Sequence, residues 1–332
     1  MMPLRVGLIG CGSMNSVHAR TLAGMPEKAR LVGFFDRHAD RAAQLAAKYG
    51  GKDAAIETDH HALFAKAHLD AVVISLPPSA HTDEVDIAAG LGAHIFIEKP
   101  IAISREKAWH MTEACERAGI VTQVGFQLRF SPVVERLKAL IDSGEAGPAG
   151  LITARYFCNS LHAHWWRVKD QSGGQVYEQA THLLDLMRHF AGEAESIFSI
   201  QRNLFHQEVP DYTVEDVSGT LLNFRSGAIG VLAASNNAIP GKWEWDLRLV
   251  TRNLTAYLPD PNHAEIVFTT GAEPRREEIA SDRNLYAAEM DDFLTAVANH
   301  TQARIPMREG ALTLELGAAA ARSASTRMEQ PI

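Results

Sequence analysis

Over the first 125 residues, short runs of continuous apolar residues alternate with amphipathic stretches. The segments Leu4 to Ile9, Leu31 to Phe35, Ala71 to Leu76, His94 to Ile97 and Val121 to Phe126 are almost wholly apolar. That pattern suits strands of a parallel sheet covered on both faces. Between them, Asp40 to Tyr49, Thr82 to Leu91 and Ser104 to Ala118 carry helical periodicity, with Ser104 a fitting N-cap and Gly119 a fitting stop. The alternation predicts right-handed crossovers and a doubly wound α/β domain over residues 1–125.

After Phe126 the rhythm changes. A helix is predicted from Ser131 to Asp142, with Pro132 at its first position. Strand-like runs follow at Leu151 to Cys158, Ser196 to Phe205, Val217 to Phe224, Ala228 to Ala234 and Trp245 to Val250, and Arg225-Ser226-Gly227 reads as a hairpin. One helix, Glu178 to Phe190, interrupts them, and two more are predicted at Leu285 to Asn299 and Arg308 to Ser325. The stretch from Pro259 to Arg276 carries no clear pattern. Residues 126–332 are therefore expected to form an α+β domain with a large, mostly antiparallel open sheet.

Composition narrows the function classes more than the fold. A chain of 332 residues suits two domains. A formal charge of −8 and a pI near 6.0, without a basic run, argue against nucleic acid or an anionic membrane as partner. No stretch reaches the ~18 to 20 apolar residues of a membrane span. The N-terminus runs straight into a strand without a charged leader, so cytoplasmic residence is expected. Cys11, Cys115 and Cys158 form neither a disulfide framework nor a zinc spacing. His162 and His164 have ligand-like spacing on a strand, but no further ligand is evident, and no metal is expected.

The first strand runs into Gly10-Cys11-Gly12-Ser13-Met14-Asn15. Gly10 permits a tight turn and Gly12 lets backbone approach a pyrophosphate, while the helix beginning at Ser13 and Met14 offers N–H groups and a positive dipole end. Asn15 stands where the third glycine of such a fingerprint is expected. Asp36, after the second strand, is placed to accept hydrogen bonds from an adenosine ribose and to repel a 2′-phosphate. That favours NAD, although the neighbouring Arg37 keeps NADP open.

Glu98-Lys99-Pro100 follows another strand, where open α/β sheets bind ligands. Together with the glycine loop, Pro77-Pro78-x-x-His81, Gly125-Phe126-Gln127-x-Arg129-Phe130-x-Pro132, and Gly173-Gly174 leading to His182-Leu183-Leu184-Asp185, it makes the chain resemble the Gfo/Idh/MocA family of sugar and polyol oxidoreductases. The likeness covers nearly the whole chain. It implies a Rossmann domain, with Ser75, Leu76, Pro77, His81, Glu98, Lys99 and Gln127 around the cofactor. Lys99 is implied to sit beside the nicotinamide. The family's Asp-x-x-x-His pair maps to Glu178 and His182, with Glu178 in place of Asp and Ala180 in place of Gly. Association through the open sheet, as a homodimer or homotetramer, is implied too.

The residue types are chemically apt without the family. Oxidising a secondary alcohol sends a hydride to a nicotinamide and a proton to a base. Histidine, with a reference pKa near ~6.5, takes such a proton at neutral pH. A lysine ammonium steadies charge developing on oxygen. Glu178 and His182, four apart on one predicted helix, would share a face. Taken singly, Lys99 also reads as a strand-end surface lysine and Glu178/His182 as a helix-surface pair. Gln127, Tyr156, Trp165, Gln179 and Asn236 are candidates for the substrate lining, a tryptophan suiting the flat C–H face of a sugar.

The expected activity is NAD-dependent hydride transfer on a sugar, inositol or sugar derivative. Two other readings stay open: a glycosidase that recycles an internal NAD, and a dinucleotide-binding protein without catalysis.

Overall fold

The near-continuous apolar runs pair in register, as parallel strands with two covered faces must. A computed structural model describes residues 2–332 and divides the chain into two compact units. The first comprises Met1–Phe126 with Asn284–Ala311, the second Gln127–Arg283 with Leu312–Ile332.

In the first unit the strands are β1 (Leu4–Ile9), β2 (Ala29–Phe35), β3 (Ala55–Glu57), β4 (Ala71–Ile74), β5 (His94–Ile97) and β6 (Thr122–Val124). They form one parallel sheet in the order β3-β2-β1-β4-β5-β6. The helices between them are α1 (Ser13–Ala23), α2 (Ala39–Tyr49), α3 (His60–Lys66), α4 (Glu84–Gly90) and α5 (Arg105–Ala118). Ser104 caps α5 by accepting the Lys107 N–H, and Gly119 ends it in the left-handed region. The strand order reverses between β1 and β4, and that reversal opens the crevice where such sheets take ligands. β3 escaped the periodicity because three residues at a sheet edge carry too little pattern.

In the second unit, α6 (Pro132–Asp142) is capped by Ser131, whose hydroxyl accepts the Val133 and Val134 N–H groups. There follow β7 (Ala149–Cys158), short helices α7 (His164–Arg167), α8 (Lys169–Ser172) and α9 (Gln175–Glu178), then α10 (Thr181–Ala191). The remaining strands are β8 (Ala194–Arg202), β9 (Val217–Phe224), β10 (Ile229–Ser235), β11 (Trp243–Thr251), β12 (Leu254–Asp260), β13 (His263–Phe268) and β14 (Arg275–Ala280). With β15 (Gln330–Pro331) they form a nine-stranded sheet in the order β14-β13-β12-β11-β7-β10-β9-β8-β15. Its pairs are antiparallel except β7 with β10. Arg225-Ser226-Gly227 does form a hairpin, with Gly227 at a φ of +87°.

Four expectations need correction. The helix α11 (Leu285–Asn299), assigned by sequence to the second domain, belongs to the first unit. Its Met290, Phe293 and Leu294 join the core formed by Val6, Leu8, Leu22 and Phe34, because only burial there removes that apolar stripe from water. The span from Pro259 to Arg276 is not patternless: it contains β13 and the turns joining it to β12 and β14.

The helix expected from Glu178 to Phe190 is broken. Ala180 N–H reaches back to Gln175 O at 3.0 Å, a wider loop than an α-turn, and Leu183 N–H then restarts the ladder on Ala180 O at 2.9 Å. Glu178 therefore closes α9 while His182 lies in the first turn of α10, so they do not share one continuous helix face. His162 and His164 are not on a strand either, since β7 ends at Cys158 and His164 begins α7.

Among the described residues no helix is long and apolar enough to cross a membrane. The fully buried Phe293 ties α11 to the first unit. Phe293→Ala is expected to cost ~3 to 5 kcal/mol, read as a lower urea midpoint. A change below ~1 kcal/mol would mean that α11 is not part of that core.

Candidate functional site

In the first unit the site grows from the turn after β1. Gly10 has a φ of +84°, and a Cβ there would stand 2.4 Å from Ser75 O and 2.9 Å from Leu76 Cδ2. Only glycine fits both demands. Gly12 precedes α1 in an extended conformation and gives it no side-chain cap. A Cβ on Gly12 would meet nothing within 4 Å, so the backbone lies bare where the first N–H groups of α1 begin. Ser13 is exposed and Met14 half-buried. An uncapped helix end of this kind suits a phosphate.

Asp36 is 6% exposed. Its Oδ2 accepts the Cys11 N–H and its Oδ1 the His38 N–H, both at 2.8 Å. The carboxylate thus fixes the glycine loop, and each oxygen keeps a second lone pair for a ribose hydroxyl. Arg37 is exposed, its Nε 3.3 Å from His38 Nε2. Asn15 is fully buried, and its Nδ2 donates to Gly10 O and, at 3.2 Å, to Ile9 O and Val73 O. The amide closes the gap between α1 and the strand ends that a third glycine closes by direct packing. Bare backbone, an uncapped helix start and a carboxylate after β2 together fit a dinucleotide. Cys11, beside them, has its thiol pushed up to about 12 by burial and by Asp36, and is no nucleophile.

Ser75, Leu76 and Pro77 follow β4 and are half-buried. His81 is committed through Nδ1 to Glu84 Oε1 at 2.6 Å. Burial raises the Glu84 pKa, but the His81 bond and charge outweigh it and bring it down to about 2. Lys99 is half-buried, and its N–H donates to Glu98 Oε2 at 3.2 Å. Glu98 Oε1 lies 2.7 Å from Nε2 of His18, which is fully buried on α1.

Beside this pair stands a residue that sequence reasoning missed. Glu289 on α11 is fully buried, and its carboxyl oxygens have no hydrogen-bond partner among the described residues. One polar atom from each of His18, Glu98 and Glu289 lies within 4.8 Å of the others. Burial and the charge of Glu98 hold the Glu289 pKa well above the usual carboxylate range, so Glu289 is the neutral acid of the cluster. A helical Glu flanked by apolar residues gave the sequence no sign of this.

In the second unit, Gln127 opens a short turn, and Arg129 grips Asp185 with two bonds of 2.8 and 2.6 Å. That buried pair fixes α10. Gly174 has a φ of +102°, and a Cβ there would lie 2.4 Å from Glu215 Oε2. Glu215 in turn accepts the Val176 N–H at 2.9 Å, so the glycine pair sets the start of α9. Glu178 and His182 are both half-buried among buried neighbours, and Glu178 Oε2 accepts the Trp166 indole N–H at 2.9 Å.

Tyr156 is half-buried, on the same face of β7 as Cys158. Trp165 packs on the cluster of Trp166, Tyr212 and Val214. Gln179 and Asn236 are 5% and 0% exposed, too deep to line a pocket directly. Both converge on His162 Nε2, at 3.0 and 3.2 Å. His162 and Trp166 thus join the site, while His164 turns away to Asp211 at 3.3 Å. A flanking histidine and tryptophan were visible in the sequence, but which of the four residues faced the site was not.

Comparisons with known proteins place the chain in a family. Residues 4–126 match the model of an oxidoreductase family with an NAD-binding Rossmann fold, GFO_IDH_MocA, and residues 134–272 match the GFO/IDH/MocA C-terminal domain. Myo-inositol 2-dehydrogenase of Thermotoga maritima is 26% identical, over 96% of either chain. The scyllo-inositol 2-dehydrogenase (NAD(+)) of Bacillus subtilis is 28% identical, over 96% of this chain and 94% of its own. Levoglucosan dehydrogenase in complex with NADH and L-sorbose shares the fold, with a TM-score of 0.90 at 21% identity, covering 100% of this chain and 99% of its own.

A neutral Glu289 has a thermodynamic signature. Its folded pKa lies above its unfolded one of about 4.3. Stability from this group is therefore complete below that value and is lost as pH rises towards the folded pKa, by ~1.4 kcal/mol per unit. Between about pH 5 and pH 8 the melting temperature of the wild type should fall more steeply than that of Glu289→Gln, whose amide mimics the neutral acid. Parallel curves would show that Glu289 is ionised in the fold.

Proposed function

Because this chain belongs to the Gfo/Idh/MocA family of oxidoreductases, we propose that it transfers a hydride between NAD and a secondary hydroxyl of a sugar, inositol or sugar derivative. The observation that carries this reading is the bare glycine loop at the head of α1, closed by Asp36, within residues 4–126 that an NAD-binding family model matches. The inositol dehydrogenases aligned over nearly the whole chain support the substrate class.

NAD supplies the hydride chemistry when bound. The chain supplies the rest. Gly10 and Gly12 bring backbone to the diphosphate, and the first turn of α1 offers N–H donors and a positive end. Asp36 takes ribose hydroxyls and repels a 2′-phosphate. Ser75, Leu76, Pro77 and Glu98 shape the crevice at the strand ends of this unit. Lys99 contributes an ammonium that stabilises negative charge developing on the substrate oxygen. In the second unit His182 accepts the hydroxyl proton in oxidation and returns it in reduction. Glu178, held by the Trp166 indole, orients that proton transfer or binds a second hydroxyl.

A homo-oligomer belongs to the same reading. On the open sheet Ile229 pairs with Leu151, and Leu151 with Val250, leaving side chains 51%, 36% and 38% exposed in one row. A second copy of the chain would remove such a row from water. Light scattering after size exclusion tests it, and a clean monomer rejects it. Cytoplasmic residence accords with three buried free thiols, and recovery of the protein outside the cytoplasm on cell fractionation would contradict it.

Fluorescence titration with NADH and NADPH tests the cofactor reading first. NADH is expected to bind more tightly. Preference for NADPH would mean that Arg37 prevails over Asp36, and binding of neither would sink the function. Lys99→Ala and His182→Ala should each lose about 10²- to 10⁴-fold in kcat on an active polyol while binding NADH as the wild type does. Undiminished turnover would remove the assigned roles. Glycoside hydrolysis without net change in NADH would point to a recycled cofactor instead.

A further inference from the structure

His162 stands outside every motif that marks the family resemblance, yet the loop that carries it is tightly built. Its φ is +55°, a left-handed conformation that a histidine keeps only when its surroundings impose it. Ser160 Oγ accepts the His162 N–H at 3.1 Å. Arg167 donates from Nε to Leu161 O at 2.7 Å and from Nη2 to His162 O at 3.1 Å. The Ser160 N–H is bonded to Asn236 Oδ1 at 3.3 Å. The imidazole is half-buried, with the Trp166 ring 4.2 Å away and the Trp243 ring edge-on at 5.3 Å.

The hydrogen-bond pattern selects a tautomer. Among the described residues, every polar contact of the ring runs through Nε2. Asn236 Oδ1 already accepts from Cys158 Sγ at 3.0 Å and from the Ser160 N–H. Gln179 Nε2 is the nearer group, at 3.0 Å, and it is a donor. Nε2 therefore accepts from Gln179, and the ring proton resides on Nδ1. The groups in contact with the ring are amides, a thiol and indoles, all uncharged.

We propose that His162 presents Nδ1–H as a fixed, neutral donor to a hydroxyl of an uncharged polyol, with Gln179 and Asn236 as positioning residues behind it. This rests on the function proposed above and narrows its substrate class: among the described residues the groups that touch the ring are neutral, and the Arg167 guanidinium beside it is committed to the Leu161 and His162 carbonyls rather than left to compensate a phosphate or carboxylate. Burial lowers the His162 pKa, opposed by Asn236 Oδ1, which would accept a proton placed on Nε2, and by the Glu178 charge, and aided by Arg167, in keeping with a ring that stays neutral near pH 7. The Cys158 thiol is pushed up to about 12 by burial and adds no charge.

The test uses the full chain with NAD and a panel of myo-inositol, scyllo-inositol, levoglucosan, monodeoxy-inositols and an inositol phosphate. Asparagine places its amide N–H where Nδ1 stood and tolerates a positive φ, whereas glutamine places it at the Nε2 position. His162→Ala and His162→Gln should raise KM for the preferred polyol by about ten- to a hundredfold, with kcat changed much less and NADH affinity unchanged. His162→Asn should recover most of the loss. One monodeoxy analogue, lacking the hydroxyl that is read, should show the same KM with wild type and His162→Ala.

Three results overturn the inference while the proposed function stands. They are KM values for His162→Ala within about twofold of wild type, equal impairment of the Asn and Gln variants, and preference of the wild type for the inositol phosphate. A wild type that binds NADH and turns over no polyol overturns the proposed function and this inference together.

Discussion

The close approach of the turn after the first strand to the end of the fourth is the constraint from which the first unit is organised. With Ser75 O 2.4 Å from where a Gly10 Cβ would stand, the chain can turn there only as glycine, and that turn aims α1 at the crevice. The polar groups released by so tight a turn must be satisfied or exposed. Asn15 collects the carbonyls of Ile9, Gly10 and Val73, and Asp36 collects the N–H groups of Cys11 and His38. The start of α1 is the part left without a side-chain cap. Its openness thus stands beside a turn whose released carbonyls and N–H groups are taken up by Asn15 and Asp36.

The second unit reaches its site by the opposite route, through a broken helix. A continuous helix from Gln175 onward would set Glu178 and His182 one turn apart on one face. The wide loop at Ala180 ends α9 at Glu178 instead. It leaves the carboxylate to the Trp166 indole and Gln179 to His162. The Arg129–Asp185 pair then holds α10 from its buried side, with Thr313 Oγ1 adding a third bond to Asp185 at 3.1 Å. Such a pair contributes geometry more than net stability, because its desolvation cost offsets much of the attraction.

Much of this was legible in the sequence, for reasons that can be located. Parallel strands with two covered faces announce themselves as apolar runs, so β1 and β5 fall on their expected residues. Ser104 and Gly119 marked the ends of α5 because caps are local chemistry. The assignment of α11 failed because amphipathicity says that a face is buried and not against what. Glu289 was missed, and His162 was noted only for its spacing from His164, for a related reason. Their significance comes from partners far along the chain: Glu98 for the first, Gln179 and Asn236 for the second. No periodicity over a window of a few turns relates the members of such pairs.

The departures from the family pattern acquire a physical account at the same positions. Asn15 replaces a packing glycine, but its amide seals the strand ends with three bonds. Glu178 replaces a shorter acid, and its extra methylene is taken up in reaching the Trp166 indole. Ala180 replaces a glycine where φ is −72° and ψ is −4°, a right-handed conformation that asks nothing of glycine. Each substitution is matched by a neighbour or a backbone angle that accommodates it. The three therefore give no ground for reading the chain as a fold that has shed its chemistry.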